Sequence, residues 1–104
     1  MFEVNDRRRI YWLIDKYLDK KIDTLTFVEE YHNCFDIEVD VNDLSTDEKA
    51  VLCELSDISN RYSESDSDHR NYPGVYFTEQ HVREKAQETK KKLADYWPPE
   101  LQNH

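Results

Sequence analysis

The sequence predicts an all-α fold: a single-domain antiparallel four-helix bundle with an acidic loop between its third and fourth helices. Three observations lead to this fold class. A chain of 104 residues suits one domain with one modest core. It contains only 1 glycine and 3 prolines, too few for a protein built from tight hairpins. Four segments carry apolar residues at helical spacing and are joined mostly by short polar connections. We therefore treat 1–104 as one helical domain, with 97–104 as a C-terminal tail.

The first two helices are predicted over about 5–20 and 23–35. Asn5 or Asp6 can cap the first helix, and Asp23 can cap the second, because short polar side chains accept hydrogen bonds from the first turn. The residues predicted to face the core are Ile10, Leu13, Ile14, Tyr17 and Leu18, then Phe27, Val28, Tyr31 and Phe35.

Residues 36–43 alternate acidic and aliphatic side chains, a pattern typical of extended backbone. A lone strand has little to pair with, so we expect an extended connector that lays Ile37, Val39 and Val41 on the core.

The third helix has the best-marked start in the chain. Ser45 and Glu48 stand at the spacing of a capping box, in which each side chain bonds the other residue's backbone N–H. The residues on the inner face of this helix are Val51, Leu52, Leu55, Ile58 and Tyr62.

A turn and a fourth helix follow the acidic segment. Pro73 and Gly74 predict a type II turn over 72–75, because proline presets one torsion and glycine accepts the positive one. Thr78 is the predicted cap of the fourth helix, which Pro98 and Pro99 should end. Its inner face is Val82, Ala86, Thr89, Leu93, Tyr96 and Trp97.

The formal charge of −9 is concentrated in the middle of the chain. Residues 36–79 hold 12 acids and 3 bases, whereas the rest of the chain holds 11 of each. Such a field repels nucleic acids and anionic membranes and attracts cationic surfaces. We therefore expect a basic protein partner and no binding to nucleic acid or membrane, although a merely solubilising acidic face would have the same composition.

The longest apolar run, Ile10 to Ile14, is far too short for a membrane span or a signal peptide, so we expect a cytoplasmic protein. In that reducing compartment Cys34 and Cys53, both inside helical patterns, are expected to be buried free thiols.

The sequence gives little support for catalysis, a metal or another cofactor. Glu64, Asp66 and Asp68 could begin a calcium loop, but His69 stands where glycine is required and Val75 where glutamate is required. The 4 histidines and 2 cysteines lack the spacing of a zinc site. With no phosphate-binding loop and little chain for a deep cleft, we expect no enzyme, no catalytic residue and no cofactor.

The acidic segment nevertheless suggests a binding function. In an extended chain, Glu64, Asp66 and Asp68 would point to the same side about 7 Å apart and repel each other by roughly several tenths of a kcal/mol. A cationic partner would relieve that repulsion.

The chain resembles the family of the colicin D immunity protein and the related immunity proteins of contact-dependent growth inhibition. The resemblance covers most of the chain: a short amphipathic first helix, then KKIDTLTFVEEYHNCF, LSTDEKAVLCELSDISNRYSESDSDHRNY and YFTEQHVREKAQETKKKL. Its most telling part is Tyr62 at a helix end, followed by the alternating acids and Arg70-Asn71-Tyr72. The turn at Gly74 and the tail at 97–104 are not features of the family.

The resemblance implies a small helical antitoxin that binds the nuclease domain of its cognate toxin, a ribonuclease that cleaves transfer RNA, as one monomer to one toxin domain. An acidic surface can occupy the lysines and arginines that such an enzyme presents to phosphates. The predicted toxin-binding residues are Glu54, Asp57, Tyr62, Glu64, Asp66, Asp68, Tyr72 and Tyr76.

Two other functions stay open. A DNA mimic would inhibit a nucleic-acid-binding protein by the same electrostatics, but it predicts acids spaced like phosphates over a long surface. A non-catalytic acidic structural subunit predicts that charge reversal is tolerated. Tyr62 could also be a core residue instead of an interface residue.

Overall fold

The computed structural model describes residues 6–39 and 41–101, with the side chains of residues 36, 38 and 41 excepted. The all-α prediction is confirmed, since the described residues contain five α-helices and their β-type pairing is a single bridge. The helices are α1 (Arg8–Leu18), α2 (Thr24–Tyr31), α3 (Thr46–Asn60), α4 (Asp66–Asn71) and α5 (Glu79–Lys92). A π-helical segment, His32–Glu38, follows α2, and short 3-10 turns occur at Val41–Asp43, Ala94–Tyr96 and Pro99–Leu101.

Local capping explains where the helices start. Asp23 accepts from the N–H of Thr26 at 2.8 Å and so caps α2. Ser45 and Glu48 form the predicted capping box at α3. At α5 the cap is Thr78, as predicted, and the reciprocal acceptor is the ring of His81. Helix α1 begins later than predicted, and the suggested cap Asn5 lies outside the described residues.

The end of α1 is closed by a residue in the left-handed conformation. Lys20 has φ of +64°, the N–H of Lys20 bonds the carbonyl of Tyr17, and the N–H of Lys21 bonds the carbonyl of Lys16 at 3.0 Å. These two bonds form a Schellman motif, which usually places glycine where Lys20 stands.

The helices enclose one hydrophobic core. Helix α3 packs on α5, and α1 packs on α2 and α5. An aromatic row runs through the centre, with ring centroids of successive members 4.3, 5.4 and 5.7 Å apart: Tyr17, Phe27, Tyr31 and Phe35. The phenol of Tyr31 donates to the carbonyl of Leu52 at 2.8 Å, and the phenol of Tyr17 is hydrogen-bonded to the hydroxyl of Thr24. Tyr17 and Tyr31 are therefore buried in the core, as predicted, and their phenol groups have hydrogen-bond partners.

The extended connector predicted over 36–43 is wrong. The chain continues from α2 as the π-helical segment, so alternate residues do not share a side. Val39 is buried as expected, but Ile37 is 67% exposed. Residue 40 and the side chain of Val41 lie outside the described part of the chain.

The segment predicted as a tail belongs to the core. Helix α5 ends at Lys92 and not at the prolines, and the chain then turns back so that Trp97 and Leu101 are buried. The indole N–H of Trp97 donates to Asp15 at 2.9 Å, and its ring meets Tyr11 edge-on at 4.8 Å. Burial of a tryptophan side chain is favourable when its N–H has a hydrogen-bond partner in the core. Residues 102–104 lie outside the described range.

Candidate protein-binding site

The acidic segment folds as a short surface helix and not as an extended loop. Ser65 accepts from the N–H of Asp68 and caps α4. Acidic residues in the first turn of α4 and basic residues in its last turn suit the helix dipole, and no residue of α4 is buried. In a helix, residues two apart are separated by about 200°, so Asp66 and Asp68 do not point to the same side. The predicted row of parallel carboxylates is therefore wrong.

The three alternating acids differ in their surroundings. Glu64 accepts from the phenol of Tyr62 at 3.4 Å. Asp68 accepts from the hydroxyl of Ser63 at 2.7 Å, which ties it to the chain before α4. Asp66 is exposed. Among the described residues, none of these acids forms an ion pair with a base, so all three keep their charge available to a partner.

The two predicted acids of α3 are already paired. Glu54 bonds Lys85 at 3.1 Å and lies 3.6 Å from Lys92, and these cations lower the pKa of its carboxyl group. Asp57 lies 3.9 Å from Arg61, one turn later. Because α3 packs on α5, the basic side chains of α5 meet Glu54. The structure thus does not join Glu54 to the acids near α4.

An open cleft of about 300 Å³ lies beside Tyr62. A parallel β-bridge between Tyr62 and Phe77 holds it together: the N–H of Ser63 bonds the carbonyl of Phe77 at 3.1 Å, and the N–H of Phe77 bonds the carbonyl of Arg61 at 2.8 Å. The bridge returns the start of α5 to the end of α3. The cleft is lined by Tyr62, Ser63, Glu64, Asp66, His69, Thr78 and Glu79.

Tyr62 occupies both of the environments considered for it. Its ring packs against the core, while its phenol faces the cleft and the carboxylate of Glu64. Burial of the phenol, together with the negative charge of Glu64, raises the pKa of Tyr62 to about 12. The phenol therefore stays neutral at physiological pH and can donate a hydrogen bond in the cleft.

The tyrosines after α4 lie on a braced turn. The N–H of Val75 bonds the carbonyl of Tyr72 at 3.1 Å, and Gly74 has φ of +84°, as the predicted type II turn requires. Tyr72 is 56% exposed and its ring meets that of Tyr76 edge-on at 6.2 Å. Val75, which was not among the predicted binding residues, is 49% exposed on the same turn.

Glu79 lines the cleft but was not among the binding residues predicted from the sequence. It follows the cap of α5, where the sequence shows only a favourable first-turn acid, and it forms an ion pair with Arg83 at 3.5 Å. The bridge between Tyr62 and Phe77, two residues before Glu79, brings it to the cleft. The turn at Gly74 was the available signal, because a reversal there returns the chain towards Ser63.

Other chemical sites are sparse in the described part of the chain. No group of three or more histidine, cysteine or acidic residues there could hold a metal ion. Cys34 is buried and forms no disulfide, as predicted, whereas Cys53 also forms no disulfide but is exposed, because it lies on the outer side of α3. No helix within the described ranges has the length and apolar character needed to cross a membrane.

Neither a protein-family model, nor a curated protein, nor a solved structure matches this chain. Functional inference therefore rests on the site itself.

Proposed function

We propose that this protein is an immunity protein that binds and neutralises a bacterial nuclease toxin domain of the transfer-RNA-cleaving class. The observation that carries the proposal is the surface formed by the cleft, α4 and the following turn. There, Glu64 and Asp66, which have no ion-pair partner among the described residues, line the cleft with the half-buried Tyr62, and the exposed Tyr72 follows the end of α4. Charged groups of one sign beside aromatic anchors are what an interface with a basic protein needs.

Electrostatics explains why a nuclease would be bound. An enzyme that cleaves RNA presents lysine and arginine side chains to phosphate groups. Glu64 and Asp66 could meet those cations in charge-assisted hydrogen bonds, which are about twice as strong as neutral ones. The net charge of −9 would also steer a cationic partner towards the protein and raise the association rate. The bound protein would then occupy the groups that RNA requires.

The site is smaller than the one predicted from sequence. Tyr62, Glu64 and Asp66 line the cleft, and Tyr72 and Tyr76 lie on the turn that follows α4. Asp68 supports this surface through its bond to Ser63, and we assign Glu54 and Asp57 a peripheral role because neither lines the cleft and both already have cationic neighbours. The cleft adds Glu79.

The proposal extends to the architecture and setting of the protein. The four longer helices, α1, α2, α3 and α5, form an antiparallel bundle that carries α4 on its surface. The protein acts in the cytoplasm, where incoming toxin would reach RNA, and one monomer binds one toxin domain without any catalytic step.

Charge reversal with a matched control tests the proposal. The proposal places the gene of the nuclease domain directly upstream, since an immunity gene follows its toxin gene. The variant Glu64→Lys with Asp66→Lys should weaken binding to that upstream-encoded domain by about 2 kcal/mol or more, roughly thirtyfold. Its melting temperature should change little, because both side chains are exposed. The control, Glu29→Lys with Glu30→Lys, makes the same change in net charge at exposed acids of α2 and should keep most of the affinity.

Affinity is measured by titration calorimetry, and toxin activity by cleavage of transfer RNA. Equal losses in both double variants would attribute binding to net charge alone and would favour the DNA-mimic function. The proposal would be refuted if wild-type protein neither bound the nuclease domain nor blocked cleavage of transfer RNA.

A further inference from the structure

The turn after α4 is the most unusual apolar feature of the described surface. Single exposed apolar residues are common on proteins and need no explanation. Here Tyr72 and Val75, 56% and 49% exposed, occur within four positions, and the ring of Tyr76 lies against that of Tyr72. We call Tyr72, Val75 and Tyr76 the aromatic turn.

Two constraints hold the aromatic turn in one conformation. The first is the hydrogen bond from the N–H of Val75 to the carbonyl of Tyr72, with Gly74 at φ +84°. The second is the β-bridge that fixes Phe77, next to Tyr76, against Tyr62. Side chains presented by a rigid backbone lose less conformational entropy when they are bound, so they bind more tightly for the same contact area.

The charges around the aromatic turn indicate the kind of partner. The last turn of α4, with Arg70, directly precedes Tyr72, whereas the carboxylates of Glu64, Asp66 and Glu79 lie in the cleft that adjoins the bridge at Phe77, next to Tyr76. An apolar group that adjoins an acidic cleft is complementary to an apolar recess that adjoins lysine and arginine side chains. Interfaces concentrate their binding energy in such central aromatic residues, surrounded by polar contacts that exclude water.

We infer that the aromatic turn is a preorganised anchor that inserts into an apolar recess within the cationic surface of the partner protein. This inference rests on the proposed function and deepens it by assigning different roles to two parts of the site. The carboxylates of the cleft and α4 set how fast the partner associates, and the aromatic turn sets how slowly it leaves.

The test compares association and dissociation rates with the upstream-encoded nuclease domain, measured by surface plasmon resonance at low and moderate salt. Tyr72→Ala with Val75→Ala should raise the dissociation rate by about thirtyfold or more, because hot-spot residues have effects of that size. Its association rate and salt dependence should match those of the wild type. Leu25→Ala is the matched control, since it removes another exposed apolar side chain, 41% exposed, on α2.

A second pair of variants tests preorganisation without removing any contact side chain. Gly74→Val should disfavour the turn, because a β-branched residue rarely adopts φ near +84°, whereas Gly74→Asn tolerates it. No atom lies within 4 Å of a Cβ placed at Gly74, so neither variant creates a clash. Gly74→Val should raise the dissociation rate and Gly74→Asn should not.

The outcomes separate this inference from the proposed function. Wild-type dissociation rates in the Tyr72/Val75 variant, together with slower association in the Glu64/Asp66 reversal, would overturn the anchor and leave the immunity function standing. An effect of Leu25→Ala as large as that of the turn variant would also overturn the anchor. No binding by wild-type protein would overturn both.

Discussion

Truncation of Asp15 is expected to release the C-terminal segment from the core. The side chain of Asp15 is only 7% exposed, and it accepts from Lys90 at 2.5 Å and from the indole N–H of Trp97 at 2.9 Å. It therefore joins α1 both to the last turn of α5 and to the segment that follows.

The expected cost follows from the two bonds. Asp15→Ala leaves the buried indole of Trp97 without the carboxylate that accepts its N–H, which costs about 1–3 kcal/mol. It also removes a charged hydrogen bond with Lys90, worth about 1–2 kcal/mol after allowance for the 46% exposure of that lysine. The sum of roughly 2–5 kcal/mol corresponds to a fall in melting temperature of about 10 °C or more. Asp15→Asn keeps an acceptor for the indole and should cost only about 1–2 kcal/mol.

Urea unfolding followed by far-ultraviolet circular dichroism measures both variants. Asp95→Ala, at an exposed carboxylate of the Ala94–Tyr96 turn, makes the same change in net charge and serves as the control. If Asp15→Ala unfolds within about 1 kcal/mol of the control, the carboxylate does not hold the C-terminal segment in place and the packing argument fails.

Two further predictions concern backbone strain and alkaline pH. Lys20→Gly should raise the free energy of unfolding by about 1 kcal/mol, because glycine adopts a φ of +64° without a steric penalty from Cβ. Lys20→Ala, which keeps the Cβ, should give no such gain. Thermal unfolding measures both variants. The raised pKa of Tyr62, about 12 in the folded protein against about 10 unfolded, means that its contribution to stability is complete below about pH 10 and is lost as pH rises through 12. Tyr62→Phe should therefore lose less stability than wild type between about pH 10 and 12, and its phenolate absorbance titration should lack the step near pH 12. Identical alkaline profiles would refute that assignment.

Features set by neighbouring residues in sequence could be predicted. The capping box of Ser45 and Glu48, the Asp23 cap and the turn at Gly74 each depend on a few adjacent groups, so their sequence signatures were sufficient. The amphipathic pattern of α1 placed Tyr17 in the core for the same reason.

Features set by distant partners could not be predicted. The inward position of Trp97 was predicted from helical spacing, but its hydrogen bond to Asp15, 82 positions earlier, was not, because no local pattern records that contact. Residues 36–43 alternate as a strand would, yet the chain continues as a π-helical segment from α2 to Glu38, because a strand there would have no partner to bond. A two-residue period alone therefore gave the wrong structure.

The candidate site likewise contains some features that local sequence predicts and others that depend on distant contacts. Its acids and tyrosines were found because they cluster between Tyr62 and Tyr76 in the sequence. The pairing of Glu54 with Lys85 and the arrival of Glu79 at the cleft depend on how α3 packs against α5. The short helix α4 was missed because six residues give too little hydrophobic periodicity, although Ser65 is a good cap.

The immunity function can be tested by calorimetric titration of wild-type protein with the upstream-encoded nuclease domain, at about 50 and 300 mM salt, together with a transfer-RNA cleavage assay. The immunity function predicts tight one-to-one binding that weakens at the higher salt and abolishes cleavage. Tight binding that is insensitive to salt would contradict an acidic interface, and no binding would contradict the proposed function itself.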